Sequence, residues 1–203
     1  QRIILTTVLS HEAKHSFALA QRQSDALLNR RSYSGRFAPS PTGPLHFGSL
    51  LTAVASYCDA KANHGKWLVR IEDTDIARIY PHSEAHILSC IDAFQFEPDA
   101  EIIFQKDRLE LYEQVLEQLK QLQAVYACQC TRKMLGSNHI YTGTCRDLRL
   151  DFSQQAIRLK VTDQLICFDD RLQGQQCSNL QHDLGDFVLK RRDDIISYQL
   201  AVV

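Results

Sequence analysis

The sequence predicts an α/β fold built on a parallel sheet, in a chain long enough for one domain or for one domain plus an insertion. Three features support this prediction: a strand–loop–helix junction, an apolar strand with an acidic end, and a cluster of cysteines. The 203 residues carry a formal net charge of −1, so any nucleic-acid contact must come from a local basic patch. No apolar run reaches the 18 residues of a membrane-spanning helix.

The first feature is residues 35–49, where a strand at 36–38 runs through a proline- and glycine-bearing turn into a helix predicted over 50–61. The free backbone N–H groups at a helix start, together with the helix dipole, favour an anion such as phosphate. A histidine there is also a common capping or surface residue, which is the alternative interpretation. The motif predicts a nucleotide site whose candidate residues are His46, Gly48 and Ser49.

The second feature is residues 66–75, whose first half is apolar and whose end is acidic. A continuous apolar run is typical of a parallel strand buried on both faces. Ligands of open α/β sheets bind beyond the carboxyl ends of the strands, so we expect Arg36 and Glu72 to lie close together. An arginine binds a carboxylate and a glutamate binds an ammonium group, which together make a socket for an amino acid. The alternative is a structural salt bridge or an exposed acidic turn.

The third feature is a group of three cysteines, Cys128, Cys130 and Cys145, among seven in the chain. Thiolates at this spacing can converge on a tetrahedral Zn²⁺, and an odd cysteine count favours thiols in a reducing cytosol over a disulfide scaffold. The fourth ligand is His139 or Tyr141, and general chemistry favours His139 because imidazole is the commoner zinc ligand. The alternative is three buried thiols without a metal. We expect a structural Zn²⁺, since nothing near the cluster resembles a catalytic base.

The remaining pattern predicts the other elements. Helices are predicted over 83–96 and 108–123, and strands over 102–104, 156–161, 164–171 and 186–191. Cys167 and Cys177 are interpreted as packing or surface thiols. We treat residues 1–34 as an appended segment outside the fold, either disordered or produced by a start-site artefact.

Four of these stretches, in this order, resemble the catalytic core of the class I glutamyl- and glutaminyl-tRNA synthetases. The matching stretches are 36–43, 45–49, 70–75 and 186–203, so the resemblance extends over residues 35–203. It implies a Rossmann-like synthetase fold, incomplete in this chain, with an inserted zinc-bearing α+β subdomain. The implied divisions are the appended segment 1–34, a first half of the catalytic domain at 35–97, a connecting insertion with the zinc site at 98–185, and a truncated return to the catalytic domain at 186–203.

The resemblance also implies the chemistry. ATP, with Mg²⁺, and L-glutamate would bind at the strand ends, and the glutamate carboxylate would attack the α-phosphate and release pyrophosphate. His46 and the backbone of Gly48 would hold the phosphates. The glutamate pocket would be formed by Arg36, Phe37, Ala38, Pro39, Ser40, Glu72 and Tyr198.

The cysteine pattern is most similar to that of a short paralogue without an anticodon-binding domain, which transfers glutamate to the queuosine base of tRNA(Asp). In that pattern Tyr141 replaces His139, and the implied ligands are Cys128, Cys130, Tyr141 and Cys145. The alternatives are an ordinary glutamyl-tRNA synthetase cut short, which would charge tRNA(Glu), and a non-catalytic zinc-bearing tRNA-binding remnant. We expect a cytoplasmic monomer with no membrane association.

The chain departs from the family pattern in two places. Ser49 stands where the signature has its second histidine, and it can donate to a phosphate but carries no charge. A lysine loop of the KMSKS type and the second half of the nucleotide fold are absent from the 203 residues. We therefore expect this chain alone to activate glutamate poorly or not at all.

Overall fold

The computed structural model describes residues 33–135 and 140–202, and these form two compact units, 33–110 and 111–202. Residues 1–32 and His139 lie outside the described residues, so the predicted appended segment and the imidazole ligand are not tested. Within the described ranges, no helix has the length and apolar character needed to cross a bilayer.

The first unit is a three-stranded parallel sheet with two packed helices. The strands are β1 Ser34–Phe37, β2 Lys66–Ile71 and β3 Ile103–Phe104, the helices are α1 Phe47–Ala62 and α2 Ser83–Ala93, and two 3₁₀ turns cover Ile76–Arg78 and Gln105–Arg108. Along the chain, β1 is followed by α1, β2, α2 and β3, and the strand order in the sheet is β1-β2-β3. The predicted parallel sheet and the predicted first helix are therefore confirmed, with α1 starting three residues earlier than expected.

The hydrophobic core of this unit lies on one face of the sheet. Trp67, Val69 and Ile71 are buried, whereas the alternate residues of β2 are half-buried or exposed. The prediction that β2 is buried on both faces is therefore wrong. Leu68 and the long aliphatic stem of Arg70 make the strand sequence look continuously apolar, so the alternation is not evident from the sequence. Helix α1 packs closely against β1 at Gly35, where an added Cβ would lie 2.8 Å from the Ser56 carbonyl oxygen.

The second unit is built on a three-stranded antiparallel sheet, with the strand order β4-β5-β8, and a separate hairpin. Helix α3, Leu109–Gln121, begins at the end of the first unit and lies mostly in the second. The other elements are β4 Val125–Cys128, α4 Arg132–Leu135, β5 Ala156–Leu159, β6 Leu165–Asp170, β7 Gly174–Asn179, α5 Leu180–Asp183, β8 Val188–Lys190 and α6 Tyr198–Ala201.

The core of the second unit forms where the apolar face of α3 meets the sheet. Tyr112, Leu116 and Leu119 of α3 pack with Ile157 and Leu189 of the strands, which confirms the predicted helix. The predicted strands at 156–161, 164–171 and 186–191 are also confirmed, each with shorter bounds.

One interpretation of the cysteines is wrong. Cys167 and Cys177 face each other directly across β6 and β7 and form a disulfide bond. Their pairing depends on the register of the hairpin, which brings positions ten residues apart side by side. They are therefore linked to each other and are not independent surface thiols.

Candidate functional site

The loop between β1 and α1 forms one wall of a cavity at the carboxyl end of the sheet. The cavity has a volume of about 480 Å³ and is lined by residues between Phe37 and Thr52, including Ser40, His46 and Ser49. It opens at the start of α1, a helix of sixteen residues whose free N–H groups and dipole attract anions. The motif residues thus line a concavity that has a helix N-terminus in it.

His46 is the N-cap residue of α1, and its imidazole folds back over the helix start. The backbone N–H of Ser49 donates to Nδ1 at 3.3 Å, and the Ser49 hydroxyl oxygen lies 3.2 Å from Nε2. Since Nδ1 accepts a hydrogen bond, the neutral ring carries its hydrogen on Nε2 and can donate it to Ser49. Gly48 permits this geometry, because an added Cβ there would lie 3.1 Å from Cε1 of His46. The structure therefore brings His46, Gly48 and Ser49 together.

The residues predicted for the glutamate pocket follow β1 into the loop. Arg36 and Ser40 are exposed, and Ala38 is half-buried. Phe37 and Pro39 are buried, and the Phe37 ring stacks on Trp67 in the core with the ring centroids 6.3 Å apart. Phe37 can therefore face a ligand with its backbone only, whereas Arg36 and Ser40 present their side chains.

Glu72 lies just beyond β2, and its carboxylate is already engaged. Nη2 of Arg70 donates to it at 2.7 Å, and both side chains are about 12% exposed. The backbone N–H of Glu72 donates to the Pro39 carbonyl at 2.9 Å, which continues the β1–β2 ladder into the loop.

Arg36 does not lie beside Glu72 along the strands. The parallel register pairs Arg36 with Leu68, four residues before Glu72, so their backbones are offset by roughly 13 Å along the strand direction. By strand alternation the two side chains lie on the same face of the sheet. Sequence reasoning missed Arg70, although its position two residues before Glu72 on one strand predicts a shared face.

The acidic end of β2 is anchored from below by Asp73, which is fully buried. The backbone N–H of Lys106 donates to Asp73 Oδ1 at 2.9 Å, and Lys106 Nζ lies 3.3 Å from Oδ2 and 2.6 Å from Glu84. The hydrogen bond to Glu84 raises the pKa of Lys106, with a smaller contribution from Asp73. This network fixes the segment that carries Glu72. It could not be predicted from the local sequence, because the partners of Asp73 lie far from it along the chain.

In the second unit the three predicted cysteines converge. The sulfur atoms of Cys128, Cys130 and Cys145 all lie within 4.8 Å of one another, and two of the three residues are buried. The Tyr141 hydroxyl oxygen lies 3.4 Å from Cys128 Sγ and 3.6 Å from Cys130 Sγ, and it accepts from the Cys145 N–H at 2.9 Å. Three sulfurs and one oxygen around a common point are a donor set that suits a tetrahedral metal such as Zn²⁺.

Tyr141 is held in this position by its surroundings. Burial, together with the hydrogen bond to Cys128, raises the pKa of its hydroxyl. The backbone of Gly185 pairs with Tyr141 in an isolated parallel bridge, so close that a Cβ at Gly185 would overlap the Tyr141 carbonyl oxygen. Gly185 has a φ of +70°, a conformation that glycine adopts without strain.

The buried carboxylate of Asp186 connects this region to the sheet. It accepts hydrogen bonds from the Tyr126 hydroxyl at 2.6 Å, from Nε of Arg146 at 2.9 Å and from the Val161 N–H at 2.8 Å. Burial raises the pKa of Tyr126, and the hydrogen bond to Asp186 adds to the shift. Tyr198, the remaining predicted site residue, is exposed at the first position of α6 in the second unit.

Comparison with known proteins identifies what these features resemble. The family model described as tRNA synthetases class I (E and Q), catalytic domain, matches residues 33–203. A protein of Acinetobacter baylyi named glutamyl-Q tRNA(Asp) synthetase is 80% identical over 172 residues, covering 85% of this chain and 59% of that protein. A protein of the same name from Dechloromonas aromatica is 48% identical over 181 residues, covering 84% of this chain and 60% of that protein. The chain thus spans about three fifths of the length of these curated relatives.

Solved structures agree with the sequence comparison. The crystal structure of a glutamate tRNA ligase from Elizabethkingia meningosepticum, in complex with its amino acid, matches with a TM-score of 0.72 and 28% identity. The match covers 85% of this chain and 41% of that one. The glutamate-tRNA synthetase of Elizabethkingia anophelis matches with a TM-score of 0.71 over the same shares.

Proposed function

Because the chain belongs to the family of class I tRNA synthetases for glutamate and glutamine, we propose that it is part of an enzyme that activates L-glutamate with ATP. The activated glutamate is then transferred to the queuosine base of tRNA(Asp). The observation that carries the proposal is the cavity of the first unit, which combines a capped helix N-terminus with the β1–α1 loop. The name of these relatives supports the choice of tRNA.

The glutamate site of the proposal lies on the exposed face of β1 and β2. The guanidinium of Arg36 binds a carboxylate of the substrate, and Glu72 binds its α-ammonium group. Arg70 orients the Glu72 carboxylate by its hydrogen bond at 2.7 Å. Arg36 and Glu72 lie on the same face but are offset along the strands, so the long side chain of Arg36 would have to reach toward Glu72 for one amino acid to contact both.

The nucleotide binds with its phosphates at the start of α1. Backbone N–H groups, the Nε2–H of His46 and the Ser49 hydroxyl are the donors available to the phosphate oxygens. An oxygen of the glutamate α-carboxylate attacks the α-phosphorus, the bond to the bridging oxygen breaks, and pyrophosphate leaves with that electron pair. The protein's contribution is to align the two substrates and to stabilise the charge that develops, with Mg²⁺ accompanying ATP.

The cysteine cluster completes the proposal as a structural zinc site, with Cys128, Cys130, Tyr141 and Cys145 as its ligands. The convergence of three thiols and a hydroxyl supports this ligand set. A bound zinc ion would cross-link the loop after β4 to the segment before β5 and would take no part in the chemistry. The cytoplasm as location, and a monomer as the working state, also belong to the proposal.

Glutamate binding tests the proposal directly, because the chain covers about 59% of its relative and turnover is expected to be poor. Calorimetry should detect binding of L-glutamate, and Glu72→Gln should weaken it at least about tenfold through loss of the ammonium partner. Glu97→Gln, at an exposed position of the same unit, is the matched control and should bind normally. The absence of heat with the wild-type chain would contradict the proposal.

The choice of tRNA is tested by transfer of radiolabelled glutamate. Because turnover by this chain is expected to be poor, we expect slow labelling of tRNA(Asp) that contains queuosine, measured with excess enzyme over a long incubation, and none of tRNA(Asp) that lacks it or of tRNA(Glu). Labelling of tRNA(Glu) would instead identify an ordinary glutamyl-tRNA synthetase core. Binding of tRNA with no glutamate-dependent use of ATP would identify a non-catalytic remnant.

A further inference from the structure

Arg158 of β5 is a buried arginine, with 7% of its surface exposed. Its Nε donates to Cys128 Sγ at 3.2 Å, and its Nη1 donates to the backbone carbonyl of Asp186 at 2.6 Å. Its guanidinium carbon lies 3.9 Å from the centroid of the Tyr141 ring. Two of these three partners are residues of the proposed zinc site.

The burial of this charge requires an anion. Removing a guanidinium from water is costly unless a negative group compensates it, and a backbone carbonyl supplies only a dipole. Among residues 33–135 and 140–202, Arg158 forms no salt bridge with a carboxylate, unlike Arg146, which pairs with Asp186. The group that contacts Arg158 and can carry a full negative charge in a metal centre is the sulfur of Cys128.

The charge balance of a zinc-bound site explains why Arg158 lies beside the ligand residues. Three thiolates around one divalent cation leave an excess of one negative charge, while the fourth ligand, a tyrosine hydroxyl, can stay neutral. The positive charge of Arg158 offsets this excess inside the protein, and its planar face rests on the ring of Tyr141. One side chain thereby contacts both the sulfur side and the oxygen side of the ligand set.

We propose that Arg158 is a positioning residue of the metal centre, which neutralises the excess charge of the three thiolates and orients Cys128 and Tyr141. This inference rests on the proposed zinc site but not on the proposed reaction. It goes beyond the ligand set, because it assigns the stability of the metal-bound state to a residue that does not touch the metal. Outer partners of this kind typically change metal affinity by about 10- to 100-fold.

The alternative is that Arg158 is only a structural residue, which ties β5 to the Asp186 backbone. The two roles differ in their dependence on metal. A structural role stabilises the protein equally with and without zinc. A charge-compensating role stabilises the zinc-bound protein more than the metal-free protein, because the excess negative charge that Arg158 offsets exists only when three thiolates surround a bound zinc ion.

The test compares Arg158→Met and Arg158→Lys with the wild-type chain, and uses Lys160→Met, just beyond the same strand, as the matched control. Zinc content is measured by elemental analysis, zinc release by a chromogenic chelator, and melting temperature with and without zinc. We expect Arg158→Met to release zinc at least about tenfold faster and to lose most of the zinc-dependent rise in melting temperature. Its metal-free melting temperature should be unchanged or higher, and Arg158→Lys should be intermediate in zinc release.

Zinc release from Arg158→Met within twofold of the wild-type rate would overturn the inference, as would an equal fall in melting temperature with and without zinc. If the methionine variant does not fold, the lysine variant decides by the same criterion, since it retains the charge but loses the Nε contact and the planar face. A wild-type chain that binds no zinc would overturn both this inference and the zinc site. None of these measurements requires glutamate, ATP or tRNA, so their outcome is independent of the proposed reaction.

Discussion

The carboxylate of Glu72, just beyond β2, accepts a hydrogen bond at 2.7 Å from Nη2 of Arg70 within that strand. The pairing holds an oriented carboxylate at the carboxyl end of β2, and the backbone N–H of Glu72 donates to Pro39, which lines the cavity beside α1. A half-buried charged pair on the sheet face opposite the hydrophobic core is a feature that a binding site uses and a hydrophobic core does not. Arg70 is thus tied to the proposed glutamate site through Glu72.

We predict that Arg70→Met weakens glutamate binding by about tenfold, because the Glu72 carboxylate loses its partner and its fixed orientation. Isothermal calorimetry measures the affinity, and Arg78→Met, at an exposed position of the same unit, serves as the control. The heat of binding should be unaffected in the control. Equal affinity in Arg70→Met and the wild-type chain would contradict the role assigned to Arg70.

We predict that Asp73→Asn destabilises the first unit by about 1–3 kcal/mol, because a buried amide replaces a carboxylate that holds the Lys106 N–H and faces its ammonium group. Urea unfolding measures the loss. The exposed Asp92→Asn should change stability by less than about 0.5 kcal/mol. A Lys106→Met variant should lose less than Asp73→Asn, since the backbone donor to Asp73 remains.

Local sequence patterns predicted the parts of the molecule that depend on neighbouring residues. The β1–α1 junction, the helix α3 and the convergence of Cys128 with Cys130 and Cys145 follow from turn residues, apolar periodicity and ligand spacing. The one-sided burial of β2 and the Cys167–Cys177 bond depend on strand register, which brings distant residues together. The partners of Arg158 could not be predicted from local sequence either, because they come together only when β4, β5 and the segment before β8 assemble.

We predict that Gly48→Ala weakens ATP binding by about tenfold, although alanine is the better helix former. The new Cβ would lie 3.1 Å from Cε1 of His46 and would push the imidazole away from the helix start. The affinity is measured with a fluorescent ATP analogue. In a His46→Ala background the same Gly48→Ala change should cost nothing further, and an undiminished cost there would show that Gly48 acts independently of His46.

The two glycines Gly185 and Gly174 give the sharpest test of how Tyr141 is positioned. Both have positive φ, +70° and +73°, so alanine at either position incurs similar backbone strain, about 1 kcal/mol. At Gly174 the added Cβ meets nothing within 4 Å, whereas at Gly185 it would overlap the Tyr141 backbone and lie 2.8 Å from its nitrogen. We therefore predict that Gly174→Ala lowers stability modestly and leaves zinc binding intact.

Gly185→Ala should lower stability by more and also accelerate zinc release, because Tyr141 and its hydroxyl must move away from the three sulfurs. Thermal unfolding and zinc release to a chelator measure the two effects in the same samples. The difference between the variants isolates the steric contact, since the backbone strain is common to both. If the two alanine variants released zinc at the same rate, the close approach of Gly185 would have no part in holding Tyr141 at the metal site.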